Sequence, residues 1–196
     1  MKKPPSMMAA PGFTLLELLL VITIIGVLSA TLVLDFAGVK QRQELALIAD
    51  QSVAMMQQAR GEVGGGKVRR ETAEDGTVET IFLCEGAYFE KGKAPLFVRG
   101  DYVGGACENF ETESYGMPSG GAFASAIAVA ELPVSKLWVL YSPPDGELVF
   151  YTENGEATTG DAVVHFEHKN ELDMDLSVII SPVTNLATLS LGTDEE

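Results

Sequence analysis

The sequence predicts an α+β protein: a long N-terminal helix, transmembrane over its first half and amphipathic over its second, packed on a C-terminal antiparallel β-rich head. Three observations carry this. Phe13 to Leu34 is an apolar run with a single charge, Glu17. Leu45, Ile48, Ser52, Met55 or Met56, and Ala59 then recur at helical spacing among Lys40, Arg42, Glu44 and Asp50. Beyond Glu79, short runs rich in aromatic and branched side chains alternate with turn residues.

The apolar run comes first in the chain. Its 22 positions make a helix of roughly 33 Å, against a bilayer core of about 30 Å. Lys2 and Lys3 precede it, which holds that end in the cytoplasm by the positive-inside bias and sends the head to the other side. A secretory signal peptide also starts this way, but its apolar region is about 7–15 residues long. Here Leu18 to Leu34 carries no charge at all, so retention of the helix is favoured over cleavage near Val27, Leu28 and Ser29.

Glu17 needs a reason, because a carboxylate at the centre of a spanning helix costs about 2.5–3.5 kcal/mol, and less near the interface. One reading keeps it hydrated at the headgroups. The other follows from position: a cut after Gly12 would give Phe13 a free α-amine, and Glu17 would sit one turn away on the same face. Attraction between the two, within a chain or between neighbours, would neutralise both.

Gly12, Phe13, Thr14, Leu15, Leu16, Glu17 followed by an apolar helix resembles the processing site of the type IV pilins and the type II secretion pseudopilins. The resemblance implies cleavage after Gly12 by prepilin peptidase, N-methylation of Phe13, and a role for Glu17 in registering one subunit on the next. It implies residues 1–12 as a cytoplasmic leader, 13–60 as the helix and 61–196 as an extracytoplasmic head. The implied partners are prepilin peptidase, other pilin or pseudopilin subunits, an inner-membrane assembly platform and membrane lipid. The implied location is the inner membrane as a single-pass protein, then a pilus or pseudopilus. One departure is the lack of a proline two-thirds along the apolar run, where Thr31, Leu32, Val33 and Leu34 stand. Gly26 and Gly38 are the weak helix formers nearby, each costing roughly 1 kcal/mol relative to alanine.

Gly61, Gly64, Gly65 and Gly66 are expected to end the helix. Gly64 to Lys67 lacks the spacing of a phosphate-binding loop and follows a helix rather than a strand. Charged Lys67 to Glu79 reads as a solvated connector. The predicted strands are Thr80–Cys84, Leu96–Arg99, Lys136–Tyr141, Glu147–Tyr151, Ala162–Phe166, Leu176–Ile180 and Leu186–Leu191, with turns at Pro143–Gly146 and Asn154–Gly155. Phe123 to Leu132 fits a strand or a short helix. The strand number and the ending Val178 to Asn185 resemble, more distantly, the minor pseudopilins of the H type and related minor pilins.

Composition excludes several classes. With 28 acidic and 13 basic residues in 196, the net charge of −15 disfavours nucleic acid as a partner, and 46% hydrophobic residues exclude disorder. The methionine pair reads as core. Cys84 and Cys107 can make at most one bridge, which an extracytoplasmic location would preserve. His165 and His168, three apart on a strand, point to opposite faces and do not chelate one metal. Glu171, Asp173 and Asp175 alternate and offer oxygens to calcium, but without the order of an EF-hand loop, so a solvated acidic edge is the simpler reading. No nucleophile elbow, zinc-protease helix, dinucleotide fingerprint or kinase signature is present, and neither enzymatic activity nor a cofactor is expected. Two readings remain: a structural subunit of a filament, most simply a minor one, or a single-pass membrane-anchored binding protein that never enters one.

Overall fold

The computed structural model describes residues 14–72, 76–114, 121–157, 160–169 and 176–191, with backbone alone at 31–37, 156–157 and 191. By internal contacts the chain divides into two units, Met1–Lys40 and Gln41–Glu196. Helix α1, Leu15–Gly64, contributes residues to both. Twelve strands follow it among the described residues.

Within the second unit, Leu45, Ile48, Ala49, Ser52, Met55, Met56, Ala59 and Val63 are all buried. That is the stripe expected of an amphipathic helix, and both methionines belong to the core. Ser52 sits in the stripe without an orphaned hydroxyl, because its Oγ donates to the Ile48 carbonyl at 2.7 Å. The helix runs through Gly61 and stops at Gly64. Gly66 is the residue that turns the chain, at φ +72°. The Lys67 N–H reaches the Glu62 carbonyl at 3.3 Å and the Gly66 N–H reaches Val63 at 2.9 Å, the paired bonds of a Schellman cap.

The strands form two antiparallel sheets. The larger has the order β4 (Ala106–Glu113), β3 (Leu96–Val103), β2 (Val78–Glu90), β7 (Lys136–Ser142), β8 (Glu147–Thr152), β9 (Gly155–Ala157), with β1 (Val68–Thr72) also on β2. The smaller has the order β12 (Leu186–Leu191), β11 (Leu176–Ser181), β10 (Ala162–His168), β5 (Ala122–Val129), β6 (Leu132–Pro133). The expected α+β architecture is therefore observed, and each of the seven predicted runs lies in a strand.

One expectation is corrected and one open alternative is settled. The segment after Lys67 is not simply a connector: β1 pairs with Val78–Phe82. With Val68 its one aliphatic residue, β1 gives no alternation signal, and it is held by backbone pairing plus Arg69, whose Nη2 lies 3.0 Å from Asp101. Of the two readings open for Phe123 to Leu132, the strand holds as far as Val129, after which Ala130 and Glu131, both at positive φ, turn the chain into β6. The alanines of β5 favour helix locally, but β5 is paired along its length with β10, and tertiary pairing overrides propensity.

The inner faces of both sheets and the buried stripe of α1 make one core, in which Phe89 of the larger sheet meets Phe166 of the smaller edge-on at 6.4 Å. Asn185, at φ 54° between β11 and β12, joins the sheets. Its side-chain oxygen accepts from the Leu148 N–H at 3.2 Å and its carbonyl from the Tyr141 hydroxyl at 3.3 Å.

The outer face of the larger sheet carries a second cluster, Cys84, Tyr88, Val98, Cys107 and Leu140, ringed by Phe110, Trp138 and Tyr151. Cys84 and Cys107 are bridged, 23 residues apart. Closing a loop of that length contributes about 3 kcal/mol in the chain-entropy model. The double change Cys84→Ser, Cys107→Ser should therefore lower the melting temperature by about 6–12 °C, and an unchanged melting curve would count against the bridge.

Candidate functional site

Two places carry the chemistry of this chain: the start of α1 and a charged cluster at its end. At the start, Thr14 caps the helix. Its carbonyl accepts from the Glu17 and Leu18 N–H groups at 3.1 and 3.2 Å, and its Oγ1 accepts from the Glu17 N–H at 3.3 Å. Thr14 and Glu17 stand in the Thr-x-x-Glu spacing of a capping box, a signal in the sequence that the reading above did not use. Glu17 is the acidic residue of the first turn, where the helix dipole favours negative charge. Gly12 and Phe13 lie outside the described residues.

Every large apolar side chain from Leu15 to Leu28 is exposed, between 44% at Val21 and 82% at Leu15. Thr23 turns its hydroxyl back onto the Leu20 carbonyl at 2.8 Å, so its polar group is satisfied within the helix. A helix that is apolar on all sides is not a surface helix of a soluble domain, since it has no face suited to water. Among the described residues no helix is long and apolar enough to cross a membrane. The described side chains of this run stop at Ala30, while in sequence it continues to Leu34.

At the other end, Glu85 on β2 is fully buried. Arg99 Nε donates to its Oε1 at 2.7 Å, and Lys67 Nζ lies 2.9 Å from the same oxygen. Lys67 also bonds Glu62 in the last turn of α1. Burial pushes the Glu85 carboxyl up, with Arg99 opposing. Glu62 is instead pulled down to about 2, chiefly by Lys67. Burial depresses Lys67, but its bonds to Glu62 and Glu85 outweigh that and raise it. The arrangement ties the end of α1 to β2 through Lys67, shared by two carboxylates, and β2 to β3 through Arg99. It is a structural tie, because its charges are spent on one another.

The histidines fall on opposite faces, as their spacing requires. His168 is buried, with Nε2 3.1 Å from Glu44 Oε2 on α1, whereas His165 is partly exposed on the outer side. Among the described residues no group of three His, Cys, Asp or Glu side chains is placed to hold a metal. Glu171, Asp173 and Asp175 lie outside the described residues. The Glu44–His168 and Glu62–Lys67–Glu85 contacts were missed from sequence, since Glu44 lies 124 positions from His168 and Glu85 reaches Lys67 only across the β1–β2 turn. Their one visible sign is Glu85 itself, a carboxylate within the apolar run Ile81 to Phe89.

Residues 7–33 match the model of the prokaryotic N-terminal methylation motif. No curated protein and no solved structure gives a significant match to the chain. The match spans Gly12, Phe13 and Glu17 and the capped start of α1, so the N-terminal segment is that of a type IV pilin or pseudopilin precursor, the kind of chain that prepilin peptidase processes.

Proposed function

We propose that the protein is a structural subunit, and a minor one, of a type IV pilus or a type II secretion pseudopilus. It inserts in the inner membrane through the apolar half of α1, with the head on the extracytoplasmic side. Prepilin peptidase cuts after Gly12 and Phe13 is N-methylated. An inner-membrane platform then adds the subunit to others through the apolar helix, with Glu17 meeting the α-amine of a neighbour. The observation that carries this reading is the uncovered apolar surface of Leu15 to Leu28, directly beyond a capped Thr14 and interrupted by one carboxylate. Such a surface is stable only in lipid or against other apolar helices.

The test is the intact mass and N-terminal sequence of the chain co-expressed with a prepilin peptidase, beside a Gly12→Val control. A product starting at methylated Phe13, absent from the control, is the expected result. An uncut chain, or one cut near Ser29, would leave a membrane anchor or a secreted domain in its place.

A further inference from the structure

The two sheets present edges of very different character. Among the described residues, β4 carries Glu108, Glu111 and Glu113, β1 carries Arg69, Arg70 and Glu71, β9 is three residues long, and β6 is two residues ending in proline. Charge, brevity and proline are the ordinary means of keeping a sheet edge from pairing with another chain. The edge strand β12 has none of them: Leu-Ala-Thr-Leu-Ser-Leu is six residues long, uncharged and free of proline. Leu186 and Leu189 on it each expose 42% of their surface. Leu189 stands opposite Val178, which is fully buried, so an apolar side chain on the core-facing side of the edge strand stays partly exposed.

We infer that β12 pairs antiparallel with the β12 of a second copy of this chain. The strand is its own complement. Centred on Leu189, the pairing sets Leu189 opposite Leu189, Thr188 opposite Ser190 and Ala187 opposite Leu191. Apolar residues meet apolar ones, hydroxyls meet hydroxyls, and no like charges face each other. The net charge of −15 opposes self-association in general, but none of it lies on this strand, and salt screens charges beyond about 8 Å. Each edge is used once, so the pairing closes at two copies. A six-residue edge is a small interface of the weak, transient kind. The inference does not depend on entry into a filament.

The test is oxidative cross-linking of the full chain in mild detergent. Directly opposed residues of an antiparallel pair have Cα atoms about 4.5–5.5 Å apart, within the span of a disulfide. Leu189→Cys should give about tenfold more linked dimer than Thr112→Cys on the charged edge β4, because pairing raises the effective concentration. Peptide mapping should place the link at position 189. Adding Thr188→Lys should abolish it, and the otherwise unaltered chain should lose its dimer in sedimentation equilibrium with the same lysine. Linked dimer no greater than in Thr112→Cys, or linkage and sedimentation unchanged by Thr188→Lys, would overturn the inference in favour of another occupant or none.

Discussion

Glu17→Val should enter the membrane as well as the parent chain and fail to enter a filament. The two halves of the result have one cause. Removing the carboxylate from an apolar helix lowers the cost of insertion by up to about 3 kcal/mol, so the variant loses nothing at that step. Methylation of the Phe13 amine leaves its positive charge in place. If that amine and Glu17 neutralise one another between neighbouring subunits, deleting one partner strands the other charge among apolar side chains. Breaking a buried pair in this way costs about 3–5 kcal/mol, which is about two to four decades in the equilibrium for adding a subunit. The measurement is the ratio of variant to parent in sheared filaments, at equal levels in the membrane. Equal incorporation would remove Glu17 from the assembly step and favour the hydrated-headgroup reading. Glu17→Gln separates charge from hydrogen bonding, and the loss should persist there.

The sequence made the helix and most strands legible because each is marked by a local period. Apolar residues at steps of three and four from Leu45 to Ala59 fix which face of α1 is buried, and Leu176, Val178 and Ile180 do the same for β11 with period two. The strands that escaped lack a period. In β1 an arginine pair and a glutamate fill the strand, and in β4 three glutamates do. Their order comes from partners such as Asp101 and the Cys84–Cys107 bridge, which sequence distance conceals. Helix termination shows the same limit. Four glycines between Gly61 and Gly66 could each have ended α1, and only the left-handed φ of Gly66 tells which one turns the chain. Gly12, Phe13 and Glu17 are legible because they stand together in a contiguous motif. Glu44 with His168, and Glu62 with Glu85 through Lys67, are not, because folding brings each pair together from remote positions.

Gly86→Ala should be the most damaging small substitution in the head. Gly86 lies on β2 between β3 and β7, opposite Val98 on one side and Leu140 on the other. A Cβ placed there would stand 1.8 Å from the Val139 carbonyl oxygen, 2.8 Å from its carbon and 2.9 Å from the Leu140 Cα. All three are backbone atoms of the β2–β7 ladder, so no side-chain rotation relieves the contact. The strands must part, and the buried hydrogen bonds between them must lengthen or break. A change of this kind belongs with the rare substitutions costing about 4 kcal/mol or more, against a total stability of about 5–15 kcal/mol. The melting temperature should fall by about 10 °C or more, with loss of folded yield. Gly61→Ala is the control. Gly61 lies inside α1 with nothing but its own turn of helix within 4 Å of its would-be Cβ, so alanine there should stabilise by up to about 1 kcal/mol through helix propensity alone. The opposite signs at two glycines separate a backbone clash from any general effect of replacing glycine. If both variants melted together with the parent chain, the close approach of β7 to β2 at Gly86 would be wrong, and with it the register that places Glu85 across from Arg99 and Tyr141.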